Sequence, residues 1–244
     1  MSIMTQPRPA IRTGWLRIAA ALAVASLAMG AKAPAAKAPV PMQNWGARIA
    51  VTPAGTHVIG NPAAKIQLVE YMSYTCSHCA EFETEAMPTL RLAFVASGKG
   101  SLEIRHFLLN PIDLTIAMLI SCAPPARFLQ LHRHFLTTQR DWLTNAQKAT
   151  PAQQARWNAG SQASRLRAIA GDLRFYELME RNRLDRPAAD RCLANEALAR
   201  KLAAQAADGR KLGIEGTPSF LLDGILLAGT HNWATLKPQL DAKF

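Results

Sequence analysis

The chain has 244 residues, 49% of them hydrophobic, and a formal net charge of +11, enough apolar sequence for one core with room for a second lobe. Five of the excess charges (Arg8, Arg12, Arg17, Lys32, Lys37) fall in residues 1–40, which hold no acidic residue, so +6 remains for the rest. Those later basic residues are spread out, with a mild excess between Arg156 and Arg210 and no dense run among aromatics; this speaks for a solvated basic surface and against nucleic-acid binding, while attraction to a membrane surface or to acidic clients stays open.

Residues 1–30 combine a basic start, an apolar stretch from Trp15 to Met29, and the small residues Ala28 and Gly30 about Met29. This is the pattern of a secretory signal peptide, and the stretch is shorter than the roughly 20 apolar residues that span a bilayer. The expectation is export to the periplasm; the alternative is an uncleaved N-terminal anchor. No cysteine precedes Cys76, which excludes a lipid-modified N-terminal cysteine. Residues 31–54 read as a spacer, alanine- and proline-rich at its start.

Gly55, Gly60, Asn61 and Pro62 form a turn cluster, with Val58-Ile59 a short strand inside it. Ile66 to Met72 is an apolar run of strand length. A helical pattern follows Cys79 through Phe82, Ala86, Leu90 and Phe94, with a kink or restart at Pro88 and an end at Gly98 and Gly100. Leu102–Leu109 is a second strand, and from there to Arg210 no strand is evident. Helical blocks are predicted over Leu114–Cys122, Ala126–Thr137, Pro151–Trp157, Ser161–Ala170, Leu173–Asn182 and Ala188–Ala207. About a hundred residues of helix exceeds a simple crossover and predicts an inserted lobe. Ser219–Leu222 and Ile225–Leu227 flank Asp223-Gly224, a hairpin signal, and a closing helix runs from Asn232 to about Leu240.

The chemistry is concentrated in Cys76-Ser77-His78-Cys79, between the 66–72 strand and the helix. A helix N-terminus has unpaired N–H groups and a positive dipole end, and both favour thiolate, the reactive form of cysteine. Cys76, at the more exposed end, is the expected nucleophile, and Cys79, one turn in, the resolving thiol. A protonated His78 imidazole between them also favours thiolate. A stabilised dithiol makes the disulfide a better oxidant. Zinc binding is the weaker reading of this CxxC: a structural site needs a second ligand pair, and His132 and His134 lie two apart and face different sides of a helix. In an oxidising compartment the local pair leaves Cys122 and Cys192 for each other, as a structural disulfide between helices of the lobe; two buried free thiols are the alternative. Trp142, Trp157 and Trp233 read as core or groove packing.

Residues 70–83, Glu70-Tyr71-Met72-Ser73-Tyr74-Thr75-Cys76-Ser77-His78-Cys79-Ala80-Glu81-Phe82-Glu83, resemble the active-site segment of DsbA-like thiol:disulfide oxidoreductases. Gly216-Thr217-Pro218-Ser219-Phe220 resembles that family's second signature. The resemblance spans about Gly55 to Phe244 and departs from the best-known member at Ser77-His78, where that protein has Pro-His. It implies an α/β thioredoxin fold, a central mixed sheet flanked by helices, built from residues 55–110 and 211–244, with an inserted helical domain over 111–210. It implies a cis bond before Pro218 that lies against the CxxC. Thr217 would then offer its backbone to a substrate strand, with Ser77 beside it, and Pro218 would keep metal off the thiols. Glu70 takes the place of a buried acid that relays the proton of Cys79; an exposed strand carboxylate is the alternative. Glu81 and Glu83 are expected as surface acids of the first helical turn.

The activity implied is dithiol oxidation of reduced secreted or periplasmic proteins, with no cofactor and with a quinone-linked membrane thiol oxidase as reoxidant. A disulfide isomerase or reductase on the same fold is the rival. Isomerases of this type carry an N-terminal dimerisation domain, for which the roughly twenty residues between the spacer and the first clear strand are too few, so a monomer is expected. A non-catalytic thioredoxin-like binding module is the third reading, opposed by the presence of both Cys76 and Cys79.

Overall fold

The computed structural model describes residues 44–244; the predicted signal peptide and the first part of the spacer lie outside the described residues. The elements are β1 (Ile49–Val51), β2 (His57–Gly60), β3 (Ile66–Met72), α1 (Ser77–Glu85), α2 (Met87–Thr89), β4 (Gly100–His106), α3 (Pro111–Cys122), α4 (Phe128–Thr137), α5 (Gln139–Gln147), α6 (Pro151–Asn158), α7 (Gln162–Asp172), α8 (Phe175–Arg181), α9 (Arg186–Leu193), α10 (Glu196–Lys211), β5 (Ser219–Leu222), β6 (Ile225–Leu226) and α11 (Trp233–Asp241). Among the described residues no helix is long and apolar enough to cross a membrane.

The strands form one mixed sheet in the order β1-β2-β4-β3-β5-β6. Its central pair, β3 and β4, is parallel and joined through α1; every other pair is antiparallel. Alternation along β3 sorts its side chains between two faces. Leu68 and Met72 join the larger core with Ile59, Leu102, Ile104 and Phe220. Val69 and Tyr71 join a smaller core with Phe107, Ala206 and Ile214. Glu70 shares the parity of Leu68 and Met72, so it sits on the face of the larger core. Its cross-strand neighbours there, Ile104 and Phe220, are apolar.

Pro88 marks a break of the kind expected. Helix α1 ends at Glu85, Pro88 occupies the start of the short α2, and a π-helical turn over Leu90–Val95 completes the crossover. Pro238 lies inside α11, which continues to Asp241.

Two boundaries differ from the sequence expectation. The sheet begins inside the predicted spacer, because Ile49–Val51 pairs with His57–Ile59. Three residues of edge strand carry too little alternation to be read from sequence. The helical insertion is also not a separate unit: the described residues form a single compact body. Residues of α3, α4, α7 and α9 share one continuous core with the sheet and α1. Helix α10 covers the second face, where Gly209 lies so close to Tyr71 that an added Cβ would meet the ring at 2.9 Å. A glycine inside a helix costs about 1 kcal/mol, and here it permits that close approach.

Cys122, at the end of α3, is bonded to Cys192 of α9, with Cα atoms 6.1 Å apart across a separation of 70 residues. Closing a long loop in the unfolded chain is the main source of a disulfide's effect on stability. Replacing both cysteines by serine should lower the unfolding free energy by about 2–4 kcal/mol. Denaturant unfolding of the double variant, with wild type unfolded in oxidant and in reductant, is the check.

Candidate active site

Cys76 is the N-cap of α1, in extended conformation (φ −89°, ψ 122°), and Ser77 and His78 begin the helix in exposed positions. Cys79, one turn in, is fully buried, while Cys76 is half-buried; both are free thiols.

The loop before Cys76 is held by the helical lobe. One carboxylate oxygen of Asp113, in the first turn of α3, accepts the Tyr74 N–H at 2.9 Å, and the other accepts the Leu109 N–H at 3.1 Å. Gln139, the first residue of α5, donates through Nε2 to the carbonyls of Tyr74 (2.7 Å) and Cys76 (2.8 Å). Asn110, which caps α3, donates to the Thr75 hydroxyl at 2.7 Å. Sequence reasoning missed all three. Asn110-Pro111 is a readable helix start, but nothing local marks Asp113 or Gln139 as clamps, and α5 itself was not predicted.

The second signature meets the first. The Thr217–Pro218 bond is cis, and the Cys76 thiol donates to the Thr217 carbonyl oxygen at 3.1 Å. Two further contacts fix this turn. Ser219 Oγ donates to the Gly216 carbonyl at 2.8 Å, and His231 Nδ1 lies 2.9 Å from the Pro218 carbonyl oxygen.

The two thiols are driven apart in acidity. Cys76 falls from 9.0 to about 5: the Cys79 thiol donates to its sulfur, burial opposes this, and the Thr217 side chain and the N–H groups of Cys79 and His78 add further donors. His78 thus acts on the sulfur through its backbone, where the sequence pointed to its ring. Cys79 is raised well above 9.0, first by burial, then by its bond to Cys76 and by the charge of Glu70. Charge therefore belongs on the outer sulfur alone.

Glu70 is 2% exposed, which excludes the exposed-carboxylate alternative. Its carboxyl is pushed well above the usual range by burial, then by Glu83 and Cys76. Glu83 corrects the expectation of a surface acid: it is buried on α1, with Oε2 3.4 Å from Nε2 of buried His132 on α4. His132 Nδ1 in turn lies 3.0 Å from the Tyr74 hydroxyl. The helical register explains the difference. Glu83 is four residues beyond Cys79 and shares its inward face, whereas Glu81 is exposed.

The sequence profile of the thioredoxin family matches residues 52–242. The chain belongs to the thioredoxin family. Within that family it is similar to proteins named protein-disulfide oxidoreductase in Rickettsia. It is 34% identical over 86 residues to one from Rickettsia conorii, covering 35% of this chain and 31% of that protein. Against the Rickettsia typhi protein it is 33% identical, again over 86 residues, covering 35% and 32%. The match thus spans about a third of the length of these relatives. A solved protein-disulfide isomerase from Novosphingobium aromaticivorans shares 50% identity with a TM-score of 0.73, covering 78% of this chain and 97% of that one. Wolbachia pipientis alpha-DsbA1, at 20% identity and a TM-score of 0.59 over 76% of this chain and 88% of that one, shares the fold.

Two titrations follow from this site. In the reduced protein, alkylation of Cys76 should be half-maximal near pH 5, and Cys79 should stay unreactive until well above pH 9. Glu70→Gln should lower the Cys79 value, because a charge opposing the second thiolate is removed. The same change should alter stability. A carboxyl whose folded pKa is raised contributes its stability below the unfolded value of 4.5 and loses it as pH rises. Glu70→Gln should therefore raise the melting temperature at about pH 7 and leave it little changed at about pH 4. Thiolate absorbance against pH and thermal melts at the two pH values are the measurements.

Proposed function

We propose that the protein is a thiol:disulfide oxidoreductase acting as a dithiol oxidase, through exchange at Cys76 and Cys79. The observation that carries this reading is the opposed acidity of the two sulfurs. A dithiol form with a stable outer thiolate is favoured over the disulfide, so the disulfide is a strong acceptor of two electrons. The family relationship and the similarity to named disulfide oxidoreductases support it.

In the reaction a substrate thiolate attacks Sγ of Cys76 in the Cys76–Cys79 disulfide. The S–S bond breaks, and Cys79 leaves with the electron pair and takes up a proton, for which Glu70 is the adjacent buried donor. A second substrate thiolate then attacks the substrate sulfur of the mixed disulfide and displaces Cys76 as its stabilised thiolate. The substrate leaves with a new disulfide and the enzyme is left as a dithiol. In this reading Ser77, Thr217 and Pro218 border the site where the substrate strand lies. The clients are reduced secreted or periplasmic proteins. The enzyme works as a monomer in the periplasm, exported by residues 1–30, and a quinone-linked membrane thiol oxidase restores its disulfide.

A second reading, disulfide isomerase, is favoured by the name of the Novosphingobium aromaticivorans structure at 50% identity. The reduction potential tests the oxidase against a reductase, and reactivation of a protein with scrambled disulfides, which an isomerase catalyses, tests the second reading. Equilibration with glutathione should give a value more positive than about −180 mV for an oxidase, and a value near −270 mV, that of thioredoxin, would overturn the proposal. Cys79→Ser, whose Cys76 thiolate can attack a disulfide of the oxidised substrate but cannot resolve the resulting mixed disulfide, should accumulate a Cys76-linked adduct with oxidised substrate on non-reducing gels. Cys76→Ser should form none.

A further inference from the structure

His231 stands outside every motif, yet it touches the centre of the site. It lies in the loop between β6 and α11, and its ring is exposed. The Pro218 carbonyl oxygen, 2.9 Å from Nδ1, carries only lone pairs, so Nδ1 must be the protonated nitrogen. That contact, with the Ser219 bond to Gly216, fixes the carbonyls on both sides of Thr217 and leaves the Thr217 carbonyl at the Cys76 sulfur. With Nδ1 occupied by Pro218, Nε2 is the ring nitrogen without a partner in the turn.

The ring also lines two clefts. One, of about 580 Å³, runs past Thr217 between the Gly213–Gly216 segment and Leu226–Gly229. The other, of about 220 Å³, lies between α1 at Glu81 and Glu85 and the start of α11 at Trp233. His78 and His231 border both. The larger cleft is lined by both Thr217 and this ring, so it offers a polypeptide whose cysteine reaches Cys76 a path past His231. The other charged groups of the two clefts are Glu215, Glu81 and Glu85, all acidic, which suits a strand that presents N–H groups.

We infer that His231 is a substrate-positioning residue of the exchange reaction: its Nδ1–H holds the Pro218 carbonyl, and its Nε2 accepts a hydrogen bond from a polypeptide N–H in the cleft beside Thr217. The inference rests on the oxidoreductase reading and adds to it a residue and a contact.

With glutathione disulfide as the terminal oxidant, the test compares a cysteine-pair peptide long enough to fill the cleft with dithiothreitol, which is too small to do so. In H231N the side-chain amide can still donate to Pro218, but the Nε2 acceptor is gone. Loss of one hydrogen bond should raise KM for the peptide about two- to tenfold with kcat unchanged. Oxidation of dithiothreitol by H231N should be affected less than oxidation of the peptide. H231F, which also frees the Pro218 carbonyl, should in addition slow the dithiothreitol reaction. In the wild-type protein the Nε2 nitrogen resonance of His231 should shift when the peptide is added. A wild-type KM in H231N, an equal loss with dithiothreitol, or an unmoved Nε2 resonance would each overturn the inference and leave the oxidoreductase reading standing. Failure of wild type to oxidise dithiothreitol would instead overturn that reading, and this inference with it.

Discussion

The acidity of the Cys76 thiol is raised by hydrogen-bond donors, not by a countercharge. Backbone N–H groups at the start of α1, the Cys79 thiol and the Thr217 side chain converge on it. Such an arrangement costs no reorganisation when charge appears, because the donors are fixed before the reaction begins. It also demands exact placement of the chain on both sides of one atom, since a hydrogen bond weakens steeply with misalignment. The surrounding architecture can be understood as the means of that placement.

The helical lobe supplies most of it. A loop between a strand end and a helix start has backbone groups that neither element satisfies, and buried groups of that kind are costly when unpaired. Asp113 and Gln139 pair four such groups in the segments 74–76 and 109. Both sit at the beginnings of helices that enter the large core, α3 through residues 116–120 and α5 through Trp142, so the loop is tied to that core. The Cys122–Cys192 bond ties the C-terminal end of α3, the helix that carries Asp113, to α9. An insertion that shares its hydrophobic core with the sheet is thus a support for the reactive turn and not an appendage to it.

What was legible in the chain follows the range of the interactions involved. Cys76 and Cys79 declare themselves through a four-residue motif on a strand-to-helix junction, and Asp223-Gly224 declares its hairpin through turn chemistry. Both depend on neighbours in sequence. Gly216-Thr217-Pro218 was legible only by resemblance, since its meaning lies in a contact with a residue 141 positions away. Gln139 reaches across 63 and 65 positions, and its helix has a weak apolar pattern. Glu83 was misplaced because first-turn acids usually serve the helix dipole from the surface, whereas here the register of α1 turns it toward His132. Ile49–Val51 is too short to alternate visibly. His231 left no signal, because a lone loop histidine acquires its role only from the fold.

The acids beneath the site make chemical sense once the two sulfurs are considered together. One negative charge at Cys76 is stabilised by local donors; a second at Cys79 would be buried next to the first and beside Glu70. Burial and Coulomb repulsion therefore act in the same direction on Cys79 and Glu70, whereas at Cys76 hydrogen-bond donors outweigh desolvation. The dithiol state thus settles with a single charge in a defined place and with protons retained on the groups below it. When Cys79 is displaced as a leaving group it becomes the stronger base of the pair, so it draws a proton inward while Cys76 needs none. The difference between the two thiols, set by depth along one turn of helix, gives the exchange its polarity: attack from outside on Cys76, and proton uptake from within at Cys79.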